Sequence, residues 1–142
     1  MSMFFPKRLS EGAAIVALIA DRVYEENIPP STKTFDPYPC ILFSYQGGGD
    51  TLTLNARRVM SRPLYLVQLV MKSSALSATE KIALKEMDDL LQGSRNYLHE
   101  DIPGFYFNAW RERPNPRSSV DTNVGTFKYR GGLYRLEVIP TA

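Results

Sequence analysis

Apolar positions crowd a few stretches of the chain, and polar, proline-rich or glycine-rich segments separate them. From Ser10 to about Ala20 they cover nearly the whole circumference of a helix, with Leu9, Ala13, Val16 and Ala20 on one side and Ile15, Leu18 and Ile19 on the other. Ser10 stands where an N-cap belongs. A helix with so little polar face is expected to be covered twice, by its own sheet and by another subunit.

Glu25 to Pro39 shows neither helical nor strand period, and Pro29, Pro30, Pro37 and Pro39 favour extended backbone that follows the surface. Cys40 to Tyr45 then reads as a strand, closed by Gly47, Gly48 and Gly49, a flexible turn. Leu52 and Leu54 alternate with threonine. After Pro63, Leu64 to Lys72 is apolar on both faces and predicts a strand near the middle of a sheet.

Ser77-Ala78-Thr79-Glu80 fits the S-x-x-E capping box, in which two side chains satisfy two free amides at a helix start. The helix it opens carries Ile82, Ala83, Met87, Leu90 and Leu91 as its apolar stripe. Lys81, Lys85, Glu86, Asp88 and Asp89 form its wet face, and Gly93 is its stop. Phe105 to Arg113 and Phe127 to Ile139 read as strands, separated by a loop with Pro114, Pro116, two serines and Asn123. Within the second strand, Gly131 and Gly132 mark a bulge or tight bend. The order predicts an α+β fold: a single domain over 1–142, an antiparallel β-sheet with two main α-helices packed on one face, and long Pro/Gly-rich loops.

Length and composition agree with one core and exclude several chemistries. The 142 residues suit one domain, and 44% hydrophobic with 23% charged residues is ordinary globular composition. One cysteine, Cys40, cannot form an internal disulfide, and one histidine, His99, cannot supply a zinc site. The longest apolar run, Ala13 to Ala20, is far below the roughly 20 residues that cross a bilayer. Lys7 and Arg8 ahead of that run resemble the start of a signal peptide, but Glu11 interrupts the pattern, so export is not expected.

The 17 basic and 15 acidic side chains leave +2, too little to point to nucleic acid. The surplus lies in 101–142, where Lys128, Arg111, Arg113, Arg117, Arg130 and Arg135 face Asp101, Glu112, Asp121 and Glu137. Phe105, Phe107, Trp110, Tyr129 and Tyr134 are interspersed there, so a small single-stranded nucleic-acid binding module is the alternative reading.

The glycine triplet is neither a P-loop nor a dinucleotide fingerprint. Glu25-Glu26, Asp88-Asp89 and Glu100-Asp101 are sequence neighbours, which do not converge on one substrate atom. A Cys40–His99 nucleophile pair lacks a third, orienting group, and Cys40 sits in an apolar run as a small hydrophobe. No enzyme activity, cofactor or metal is expected.

Several segments carry a resemblance. Asp21-Arg22-Val23-Tyr24 ends the first helix, and a proline-rich passage leads into Tyr38-Pro39-Cys40-Ile41-Leu42-Phe43. A long middle strand spans Leu64 to Lys72, a helix follows Ser77, and a closing strand runs from Tyr129 to Ile139. In these features the chain resembles the tail terminator, or tail-completion, family of long-tailed bacteriophages and gene-transfer particles. The resemblance implies a structural virion protein, made in the host cytoplasm and placed in the neck of the particle. It implies a homo-oligomeric, hexameric ring on the head-proximal end of the tail tube, with the tail tube protein and a head-completion or connector protein as partners. DNA would pass through the channel without being read, and no membrane is involved.

Two groups of residues are candidates for its surfaces. Tyr45, Gln46, Asp50, Arg57, Arg58 and Arg62 flank the glycines on a segment suited to contact a neighbouring subunit or the tube. Arg111, Arg113 and Arg117 carry the local basic excess and are candidates to line the channel.

Overall fold

A computed structural model of the chain describes residues 3–52, 58–72, 77–114, 118–122 and 125–141. The helices are α1 (Phe4–Leu9), α2 (Ala13–Ile19) and α3 (Ala78–Gln92). The strands are β1 (Val23–Glu25), β2 (Cys40–Leu52), β3 (Arg58–Met71), β4 (Tyr97–Leu98), β5 (Phe105–Pro114), β6 (Ser118–Thr122) and β7 (Gly125–Pro140). They form one sheet in the order β1-β2-β3-β7-β5-β4, with β6 pairing the first part of β7. The fold is α+β.

The sheet is mixed rather than antiparallel. β1 pairs with β2 in parallel, Val23 opposite Ile41 and Glu25 opposite Phe43, whereas the other pairings are antiparallel. A parallel neighbour needs a crossover of about a dozen residues or more. Residues 26–39, the proline-rich passage, supply it.

Three helices, not two, cover one face of the sheet. The helix expected from Ser10 is α2, which starts only at Ala13; an additional helix, α1, precedes it, and Ser10 is the C-cap of α1 rather than an N-cap, its hydroxyl donating to the Lys7 carbonyl at 2.6 Å. Pro6 falls in the first turn of α1, where its missing N–H costs nothing. Phe4 and Phe5 hold α1 down: Phe4 stacks on Phe107 at 5.4 Å, and Phe5 lies 5.0 Å from Phe43 and 4.9 Å from Tyr65. α2 starts at Gly12 with no side-chain cap of its own.

α3 begins with the expected reciprocal box, Ser77 Oγ accepting from the Glu80 amide at 3.2 Å and Glu80 Oε1 accepting from the Ser77 amide at 2.9 Å. Its buried face is Glu80, Ala83, Met87 and Leu91, so Ile82, expected inside, is 58% exposed. Glu86 and Asp88, expected in water, point back into the molecule. Glu86 Oε1 accepts the amides of Ala14 at 3.0 Å and Ile15 at 3.4 Å, and Asp88 Oδ1 accepts the Tyr134 hydroxyl at 2.8 Å.

β3 lies between β2 and β7 and is buried on both sides near its end, as its sequence predicts: Val67, Leu69 and Met71 face the helices, Gln68 and Val70 the other side. The glycine triplet is not a turn. Gly47, Gly48 and Gly49 pair with Leu64, Pro63 and Arg62, and the register slips between Tyr45 and Gly47. Gly47, at φ +116, takes a conformation that side chains disfavour, and the strand continues beyond the slip.

Gly131 and Gly132 are likewise unbroken strand, and the β5–β7 irregularity falls on β5 between Arg111 and Arg113. Gly131 is needed for space, since a Cβ there would overlap the Val67 carbonyl oxygen. Part of the expected loop after Pro114 is strand β6, Ser118 to Thr122, which pairs with Tyr129 to Gly125. Of the expected Pro/Gly-rich loops, the passage over 26–39 has no helix or strand, and the glycine tract belongs to the sheet.

Candidate functional site

Two hairpins share the central ladder. β3 and β7 run antiparallel from Ser61 opposite Val138 to Met71 opposite Lys128. The Leu52–Arg58 end of the β2–β3 pair therefore lies where β7 finishes, and the Thr122–Gly125 end of the β6–β7 pair lies where β3 finishes. At about 3.3 Å per residue, the 14 residues of β3 separate those ends by roughly 45 Å.

The candidate interface residues that the structure describes fall on the first hairpin. Tyr45 is exposed at its base, its ring 5.7 Å from Tyr65 and its amide donating to Glu26 Oε1 at 2.9 Å. Gln46 occupies the register slip and donates to Ser44 Oγ at 3.0 Å. Asp50 pairs with Ser61 and Arg58 with Leu52 along the ladder, whereas Arg57 lies outside the described residues. Arg62 turns onto the helix-free face, where its Nε meets Glu137 Oε2 at 3.2 Å.

The candidate channel arginines do not share one environment. Arg111 reaches toward the helices and pairs with Asp88 Oδ1 at 3.3 Å, Arg113 follows the β5 bulge, and Arg117 lies outside the described residues. Phe107 and Tyr134 are core side chains, so they offer no stacking surface, whereas Phe105 and Trp110 are exposed.

Sequence reasoning missed the helix-free face of the sheet. Arg135 grips Glu112 with two parallel bonds, Nε to Oε1 at 2.9 Å and Nη2 to Oε2 at 3.0 Å, and donates from Nη1 to the Arg62 carbonyl at 2.9 Å. Beside this network Leu64, Leu66, Leu133 and Ile139 are only half-buried, and Trp110 is 38% exposed. The strict alternation of β5, with Phe107 and Ala109 inward, was the signal that put Trp110 outside. On the helix face, an apolar groove opens between α1, α2 and β1, lined by Pro6, Leu9, Ile15, Val16, Ile19 and Val23.

Cys40 and His99 are both buried and lie toward opposite edges of the sheet. Burial pushes the Cys40 thiol up to about 12, away from thiolate character. His99 Nδ1 accepts the Asp101 amide at 3.0 Å, leaving Nε2 to donate to the Met3 carbonyl at 3.1 Å. Among the described residues, no group of three His, Cys, Asp or Glu side chains could hold a metal ion, and no helix is long and apolar enough to cross a membrane.

Neither a protein-family profile nor a curated protein matches the sequence. Among solved structures, a chain described as "Virion of native gene transfer agent (GTA) particle" is similar with a TM-score of 0.58, over 95% of this chain and 91% of that one. The chain shares that fold. At 16% identity the likeness is one of architecture, and it extends over nearly the full length of both chains.

Proposed function

We propose that the protein is a structural virion protein of the tail-terminator kind. Copies join into a ring, six in the family the sequence resembles, that sits on the head-proximal end of a tail tube in the neck of the particle. One face of the ring matches the tube and stops its polymerisation, and the other receives the head connector. DNA passes through the centre without being read. The protein works by shape, without a cofactor, a membrane or a covalent step.

The observation that carries this reading is the full-length likeness to a chain of a gene transfer agent virion, a particle of the kind the sequence features already suggested. The architecture suits the role. Hairpins at opposite ends of one sheet give each copy two separated contact points, as a part standing between tube and connector requires. A head-to-tail contact repeated by rotation closes into a ring.

Electron microscopy of the purified protein mixed with growing tail tubes tests the proposal. Rings alone, and tubes that carry a ring at one end and grow no further, are expected. Tubes that lengthen unchecked in its presence would reject the reading. Salt-dependent capture of a single-stranded oligonucleotide, with no effect on tubes, would favour the nucleic-acid module instead.

A further inference from the structure

Besides single exposed side chains such as Ile82 on α3, the described residues leave apolar surface open at two places that lie on opposite edges and opposite faces of the sheet. The first is the α1–α2–β1 groove on the helix face at the β1 edge, where Val16 is 41% exposed. The second lies at the β4 edge. Tyr97 packs its ring edge-on against Phe4 among the helices, so Leu98, next in the strand, faces the other side. Leu98 pairs with Tyr106, and Tyr106 and Trp110 alternate with the inward Phe107 and Ala109. Leu98, Tyr106 and Trp110 thus share the helix-free face in a strip that Asn108, whose Oδ1 accepts the Asn96 amide at 2.9 Å, interrupts between Tyr106 and Trp110; Leu98 is 61% exposed.

We propose that the Leu98–Tyr106–Trp110 strip of one copy docks in the α1–α2–β1 groove of the next. The inference rests on the ring reading above and names its subunit contact. A second copy is the occupant because each surface supplies what the other lacks. When plates overlap edge on edge around a circle, the underside of one meets the upper side of its neighbour. The strip and the groove stand in that relation. Each copy gives its groove to one neighbour and its strip to the other, which is the heterologous arrangement that closes rings.

Backbone pairing between the edges does not make this contact. At β1 the Val23 amide donates to the Asp21 carbonyl at 2.8 Å and the Asn27 amide to the Glu25 carbonyl at 2.7 Å, which blunts the edge. Side chains must carry it. Charge favours the orientation that brings Arg95, exposed just ahead of β4, toward Asp21 and Glu25, exposed beside the groove; on the β4 edge Glu100 is held by Lys7 at 3.4 Å, and the exposed Asp101 stays outside the contact.

The test uses Leu98→Glu, which spoils the strip, and Val16→Glu, which spoils the groove. Both side chains are exposed, so thermal melts by circular dichroism should match the wild type. Sedimentation equilibrium should find rings for the wild type and 16.1 kDa monomers for either variant. A 1:1 mixture of the variants should form a species of two copies and nothing larger, because one strip and one groove remain intact between them. Should a glutamate variant melt early, Leu98→Ser and Val16→Ser replace the pair, each raising the concentration needed for assembly at least tenfold.

Rings formed by either variant, or a mixture that stays monomeric while the wild type forms rings, would overturn the contact and leave the ring reading standing. A wild type that stays monomeric at every concentration, with or without tail tubes, would remove both.

Discussion

The hydroxyl of Tyr134, a buried side chain on β7, donates to Asp88 Oδ1 on α3 at 2.8 Å, and the same oxygen lies 3.3 Å from Arg111 Nη1 on β5. Three elements meet at one carboxylate. Burial, followed by the bond to Asp88, raises the phenol above its ordinary range, so Tyr134 stays protonated and donates.

Replacing Tyr134 by Phe removes the donor and keeps the ring. The expected loss is about 1 kcal/mol, because Asp88 retains Arg111. Urea titration should show a lower midpoint with an unchanged slope. An unchanged midpoint would mean that the bond adds nothing.

Glu86 does for α2 what Gly12 cannot. Its Oε1 accepts two free amides of the first turn, those of Ala14 and Ile15, from across the interhelical gap, and its charge lies at the positive end of the dipole. Glu86→Ala should cost about 1 kcal/mol and speed amide exchange at Ala14 and Ile15, whereas Glu86→Gln, which keeps an acceptor, should restore most of the protection. Exchange at those amides equal to the wild type in the alanine variant would refute the cap.

Cys40 gives the fold an alkaline limit. Its thiol titrates near 9 when free and is pushed up to about 12 by burial, so the folded state holds the proton more tightly. The stability from this group is complete below pH 9 and falls as pH rises toward 12, by about 1.4 kcal/mol per unit. Cys40→Ala should flatten that part of the stability curve. A slope between pH 9 and 11 identical in both proteins would contradict it.

Gly131→Ala should be severe. The new methyl would overlap the Val67 carbonyl in the β3–β7 ladder, where backbone cannot move aside, and a loss above about 3 kcal/mol is expected. Gly104→Ala is the control: its φ is +90 but nothing stands within 4 Å, so only backbone strain of about 1–2 kcal/mol is expected. Comparable thermal shifts for the two variants would remove the steric explanation.

Replacing Arg57 and Arg58 with glutamate reverses two charges in the segment between Leu52 and Met60. Ring or tube attachment should weaken while the melting temperature holds. Normal assembly by a well-folded double variant would take the hairpin out of the interface.

What the sequence discloses here is local. The capping box at Ser77 and the apolar length of β3 act within a few residues, and both were legible. α1 was not, because six residues containing Pro6 form a helix only once Phe4 and Phe5 have Phe107, Phe43 and Tyr65 to pack against. The glycine triplet read as a turn because local propensity points that way, and pairing with Leu64, Pro63 and Arg62 overrides it. Three-residue β1 carries too little pattern to betray a parallel partner. The same distance hid the charges. Nothing near Arg62 or Asp88 in sequence names Glu137 or Tyr134, so both groups of candidate arginines could be located on the chain but not given their partners.

β3 belongs to one hairpin, β7 to the other, and the two strands are hydrogen-bonded to each other along the middle of the sheet. A partner bound at one end of this ladder and a partner bound at the other are joined through the same run of paired residues, from Ser61 opposite Val138 to Met71 opposite Lys128, so a load taken up at one extremity would pass along it to the opposite one.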